Sequence, residues 1–141
     1  MKYWLLKTEP NEWSWKHQVE SGTKGAVWDG VRNYQARNNL KTMKLGDQFF
    51  FYHTGDEKKI VGIGKVIKEF FPDKNDRAEK FGSIMVRSYK IFKTPVSLND
   101  IKNHSLLGHL ALLKQSRLSV MPIDSKSWKV ICKIGKVMYN F

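Results

Sequence analysis

Two consecutive segments, QFFFYH (48–53) and KIVGIGKVIK (59–68), restrict this chain more than any other feature. The first is dense in aromatics and predicts a strand. The second predicts its antiparallel neighbour, with Thr54 to Lys58 as the connecting turn. Gly62 and Gly64 lie two apart in that neighbour and leave one face bare. A bare face marks a sharp barrel bend or a close approach by something else. Together they predict a strongly bent sheet or barrel.

Flanking segments fill in the rest. Tyr3 to Thr8 predicts a strand stopped by Pro10, and Gly82 to Phe92 a long third strand. Ser14 caps a short helix over Trp15–Glu20 that Gly22 closes, and Asn33 caps one from Tyr34 to about Lys44. Ser97 with Asp100 forms a capping-box start to a helix through about Ser105. Ser116 to Pro122 is extended, and Asp124 caps a last helix with Trp128, Ile131, Ile134 and Met138 on one side. Strands and helices do not alternate regularly, so the class is α+β rather than doubly wound. At 141 residues, with no repeat and no linker, residues 1–141 are expected to form a single domain.

Charge narrows the function. Lys and Arg number 25 against 13 Asp and Glu, a net charge of +12, and aromatic residues make up 13%. Basic and aromatic together is the composition of proteins that stack bases while holding phosphates. Residues 101–141 carry seven basic side chains and one acidic one. Lys126, Lys129, Lys133 and Lys136 oppose the apolar side of the last helix, where a solvated face is the simpler reading. The lone Cys132 excludes an internal disulfide and fits a reducing compartment. No apolar run reaches the roughly 18 residues of a membrane span, so no membrane partner is expected and the location expected is cytoplasmic, or nuclear in a eukaryote. No cofactor is expected, and a monomer is favoured.

Catalytic and metal chemistry find little support. His17, His53, His104 and His109 do not fall at a zinc-helix spacing with a third ligand. Cys132 sits within the apolar pattern of the last helix, as a filler would. Gly62 and Gly64 lack the third glycine and the following helix of a phosphate-binding loop. His53 with Asp29 as base and orienter is the one catalytic pair the sequence offers.

The stretch WDGVRNYQARNNL (28–40) remains. Trp28 precedes the turn pair Asp29-Gly30, which places the indole at the rim of a loop rather than mid-core. Amides and guanidiniums follow densely: Arg32, Asn33, Gln35, Arg37, Asn38, Asn39. An amide offers the donor and acceptor that read a base edge, and a guanidinium forks onto phosphate or stacks. An indole wall with such a floor suits one planar heterocycle.

Five segments, in order, carry a resemblance: YWLLKTEP (3–10), WDGVRNYQARNNL (28–40), GDQFFFYHT (46–54), KIVGIGKV (59–66) and LLKQSRLSVMPI (112–123). The chain resembles the EVE-domain family of the PUA-like superfamily, kin to the YTH readers of methylated RNA and to the thymocyte nuclear proteins of animals. The resemblance implies a PUA-like β-barrel flanked by short helices. It also implies a pocket for a modified base, methylated or hydroxymethylated, in DNA or RNA, with no catalytic activity. Carried over by position, the pocket residues are Lys7, Thr8, Trp28, Asp29, Gly30, Val31, Asn33, Arg37, Asn38, Tyr52, His53, Ser116 and Arg117. Two other readings stay open. One is a sequence-tolerant RNA-binding module without selectivity for modification; the other is a small base-processing hydrolase.

Overall fold

In the computed structural model, described for residues 1–74 and 80–137, one mixed six-stranded sheet curls into a half-barrel. Its strands are β1 (Tyr3–Thr8), β2 (Ala26–Trp28), β3 (Gln48–His53), β4 (Lys59–Pro72), β5 (Gly82–Ser97) and β6 (Val120–Ile123). Their order across the sheet is β2-β5-β4-β3-β1-β6. The helices are α1 (Trp15–Glu20), α2 (Tyr34–Thr42), α3 (Leu98–Lys102), α4 (Ala111–Lys114) and α5 (Ser125–Ile134). The expected α+β class and PUA-like architecture hold.

All six residues of β3 are buried, because side chains leave both faces of the sheet and both faces are covered. Phe50 points to the α5 side. There its ring stacks on Trp128 at 3.9 Å, and Tyr3 stacks on Trp128 at 4.3 Å. Phe49 and Phe51 point to the other side and meet the Trp28 indole edge-on at 5.8 and 5.4 Å. Those rings need room, which the glycines of β4 supply. A Cβ on Gly64 would overlap the Phe49 ring, and one on Gly62 would overlap the Trp15 indole. The expected close approach is therefore by the protein's own aromatics. Four register shifts along β4–β5 bend the ribbon around this aromatic filling.

Local capping follows the sequence. Ser14 and His17 form a reciprocal cap on α1, Asn33 accepts from the Ala36 N–H at 2.9 Å, and Ser97 with Asp100 caps α3. The ends of several elements differ from expectation. Helix α2 stops at Thr42, because Met43 turns extended and buries its side chain in the core. Helix α3 stops at Lys102, since turns linking His104 to Ile101 and Leu107 to His104 replace it. Strand β5 runs on to Ser97, where Val96 and Ser97 pair with Ile60 and Lys59. Ser116 and Arg117, expected to be extended with β6, form a turn instead, and β6 begins at Val120. The short β2 and α4 have no counterpart in the expectation. Ile134 ends α5, with Lys136 beyond it at φ +53°, and Met138 lies outside the described residues.

Asp124 starts α5 by accepting from the Ser127 N–H at 2.8 Å and the Ser127 hydroxyl at 2.9 Å, with His109 Nε2 at 2.7 Å. Ser, His and Asp meet here without forming a relay, since the same Nε2 atom faces both the hydroxyl (3.2 Å) and the carboxylate. Partial burial pushes the Asp124 carboxyl up. The hydrogen bonds from His109 and Ser127 outweigh it and draw the value down to about 2. A depressed folded value gives stability present above the ordinary 3.8 and lost as pH falls through about 2. Asp124→Ala is expected to cost about 1 kcal/mol at neutral pH, the usual worth of an N-cap. Melts of both proteins at pH 7 and pH 2 should show the gap closing in acid.

Candidate nucleic-acid interface

A recess of about 470 Å³ opens where β1 ends and β2 runs into the Asp29–Arg32 loop. Lys7, Thr8, Glu9 and Ser119 form one side, Glu12 and Trp13 another, and Ala26 through Arg32 the third. Six sequence-predicted residues meet here: Lys7, Thr8, Trp28, Asp29, Gly30 and Val31.

Trp28 is only 6% exposed. The expectation of a rim indole is corrected to a double role. Trp28 ends β2, paired with Ile84 of β5, and its ring is anchored edge-on to Phe49 and Phe51 while still lining the recess. The turn signal at Asp29-Gly30 is real, with Gly30 at φ +77°, a region glycine enters without strain. It follows a strand too short to stand out in the sequence.

Trp13, absent from the expected set, is the second indole of the recess. A chain of hydrogen bonds fixes it. Its Nε1 donates to Gln18 Oε1 at 2.9 Å, and the fully buried Gln18 amide donates in turn to the Val86 carbonyl at 3.1 Å. Thr8 Oγ1 donates to the Trp13 carbonyl at 2.8 Å, so the hydroxyl's work is to hold the second wall. The Thr8 carbonyl in turn accepts from both the N–H (2.9 Å) and the hydroxyl (3.3 Å) of Thr54.

Lys7 is half-buried, and burial lowers its pKa from the ordinary lysine value. Its ammonium donates to the Ser116 carbonyl at 2.9 Å, which ties the main recess to a second one. That second recess, 340 Å³, is lined by Asn33, Gln35 and residues 114–118, and so receives the predicted Asn33, Ser116 and Arg117. Ser119, unforeseen, reaches the main recess instead.

The remaining four predicted residues are not brought to either recess. Arg37 donates to the Lys80 carbonyl and to the Asn38 side chain, with its guanidinium 5.2 Å from the Tyr34 ring. Tyr52 pairs with Lys7 in the sheet and follows Phe50 on the α5 side, where burial raises its pKa. His53 accepts the Trp15 N–H at Nε2 (3.0 Å), so Nδ1 carries the proton toward Glu57 at 3.0 Å. That bond comes first among the causes that lower the Glu57 pKa. Asp29 is not its partner.

Among the side chains of the main recess, two cations (Lys7, Arg32) face three carboxylates (Glu9, Glu12, Asp29). Such a lining does not suit a phosphate. It suits a neutral ring that offers hydrogen-bond donors, held between aromatic faces. Cys132 is buried and its thiol is pushed up to about 12, far from a thiolate nucleophile.

The EVE domain model matches residues 2–134. Thymocyte nuclear protein 1 of Gallus gallus is 32% identical over 164 aligned residues, covering 94% of this chain and 68% of the relative. Among solved structures, Rpa0253 from Rhodopseudomonas palustris is 43% identical, covers 96% of this chain and 94% of its own, and superposes with a TM-score of 0.91. Human THYN1, solved in complex with 5-methylcytosine-containing DNA, is 27% identical, covers 96% and 98%, and gives 0.89. The YTH domain of Zygosaccharomyces rouxii MRB1, at 13% identity, 99% and 90% coverage and a TM-score of 0.59, shares the fold. The chain belongs to the EVE-domain family.

Proposed function

We propose that this protein is a non-enzymatic module that binds nucleic acid by enclosing one modified nucleobase between Trp13 and Trp28. The supporting observation is the recess itself: two indoles of fixed orientation around a cavity richer in carboxylates than in cations, on a chain of net charge +12. A base fits the cavity, and phosphates belong outside it. Carboxylates accept from exocyclic amino groups, as on cytosine or adenine. Val31, buried at the cavity wall, supplies apolar surface for an added methyl group. The human relative in complex with 5-methylcytosine-containing DNA supports the same class of ligand.

Within this reading, Lys7, Thr8, Asp29, Gly30 and Val31 surround the base, while Asn33, Ser116 and Arg117 take the adjoining nucleotide. Tyr52, His53, Arg37 and Asn38 support these elements from behind. Stacking would return roughly 1–3 kcal/mol per base, enough to offset unstacking from a single strand. Both His53 nitrogens are engaged by Trp15 and Glu57, which removes the base and orienter that a hydrolase would need.

Tryptophan-fluorescence titration with matched modified and unmodified oligonucleotides tests the proposal. A methyl group is worth about 1–3 kcal/mol in an apolar pocket, so a preference of roughly tens-fold is expected. Equal affinities would favour the sequence-tolerant RNA-binding reading. Release of free base, followed by mass spectrometry, would favour the hydrolase.

A further inference from the structure

Because the base recess carries more carboxylates than cations, the phosphodiester backbone must be held elsewhere. The β4–β5 ribbon has the features for it. Lys65 and Arg87 stand directly opposite each other in the antiparallel register. Like charges so placed repel and destabilise the pairing unless a counter-charge is near. No carboxylate among the described residues pairs with Lys65, Arg87 or Lys90.

Between these cations stands Tyr89. Ile63 pairs with Lys90 and Gly64 with Ser88, so Tyr89 is the extra residue of a bulge with no partner across the ladder. A bulge re-aims its side chain. Here it turns out an aromatic ring that is 37% exposed, with the Lys65 ammonium 3.8 Å from its centroid and the Lys90 ammonium 5.1 Å away. The ring anchors two ammonium groups at fixed positions without neutralising them. Neighbouring Ile91, at 66% exposed, extends the same open surface. The ridge starts one residue beyond the β2–β5 ladder: Ala26, which lines the recess, pairs with Val86, and Arg87 is the next residue.

We infer that Lys65, Arg87 and Lys90, organised around Tyr89, form a further nucleic-acid contact, apart from both recesses, that binds the phosphodiester backbone beyond the enclosed base. This rests on the base-binding reading above and assigns it a phosphate track. The ridge reads no sequence and no modification. It contributes affinity, salt dependence and direction of the strand across the sheet.

The test uses the full chain and fluorescein-labelled single-stranded oligonucleotides with and without one 5-methylcytosine, by anisotropy across a salt series. Lys65→Ala/Lys90→Ala is expected to weaken binding of both oligonucleotides about tenfold at low salt. The slope of log affinity against log salt should flatten by about 1.4, roughly 0.7 for each lost phosphate contact. The ratio between the two oligonucleotides should not move, and the melting temperature should change little, since relief of the Lys65–Arg87 repulsion offsets the lost contacts to Tyr89. Lys16→Ala/Lys102→Ala, at two exposed lysines outside the ridge, should leave the slope within half of that change. A ridge variant with wild-type affinity and slope, or a control double variant with the same loss, would overturn the assignment. Absence of any oligonucleotide binding by the wild-type protein would overturn it together with the base-binding reading. Equal wild-type affinity for the two oligonucleotides would overturn only the modified-base reading, because the slope still reports the ridge.

Discussion

Trp28→Ala is expected to destabilise the domain by about 3–5 kcal/mol, the range for emptying a buried aromatic site. The indole is 6% exposed and fills the space between Phe49 and Phe51, so its removal leaves a cavity against two rings held over Gly62 and Gly64. Against a typical domain stability of 5–15 kcal/mol, that is a large share. The folded fraction should also lose base affinity, because the same ring lines the recess. Trp28→Phe should recover most of the stability and part of the affinity. Denaturant midpoints with oligonucleotide titrations of both variants check this. A loss in Trp28→Ala of less than about 1 kcal/mol would contradict the packing described.

Trp128→Ala should cost a similar 3–5 kcal/mol with a different signature. Trp128 is fully buried on the α5 side, stacked flat between Tyr3 and Phe50. It holds α5 to the sheet and touches neither recess. The variant is therefore expected to melt early but bind normally below its transition. Loss of base selectivity in folded Trp128→Ala would show that the two faces of β3 are coupled more strongly than their separate packing implies.

Comparison of these two tryptophans shows what the sequence can convey. Helical spacing put Trp128 on the apolar side of α5, and the structure buries it there. Caps at Ser14, Asn33, Ser97 and Asp124 were legible because each bond closes within three residues. Gly62 and Gly64 announced a close approach, though not by whom. Strand β2 was hidden because three residues carry no period, and its existence depends on β5 some sixty residues later. Trp13 was missed for the same reason, since the Gln18 amide that fixes it is itself held by Val86. The amides and guanidiniums of residues 32–39 signalled fixed donors correctly. Many of those donors serve the protein: Asn39 donates to the Val120 carbonyl, Arg37 to that of Lys80, and Arg32 to Asp73. Donor density alone does not distinguish a base edge from a distant backbone carbonyl.

One base held between Trp13 and Trp28 makes both indoles determinants of selectivity. Trp13 is the better probe, being only partly buried and outside the Phe49–Phe51 packing. The decisive quantity is the ratio of affinities for 5-methylcytosine and cytosine single strands, measured at one salt concentration for wild type and for Trp13→Ala. A ratio of roughly tens is expected in the wild type, falling toward one in the variant, with a smaller loss of stability than Trp28→Ala causes even though the buried Gln18 loses a donor. A wild-type ratio of one, or a ratio that survives intact in Trp13→Ala, would contradict this arrangement.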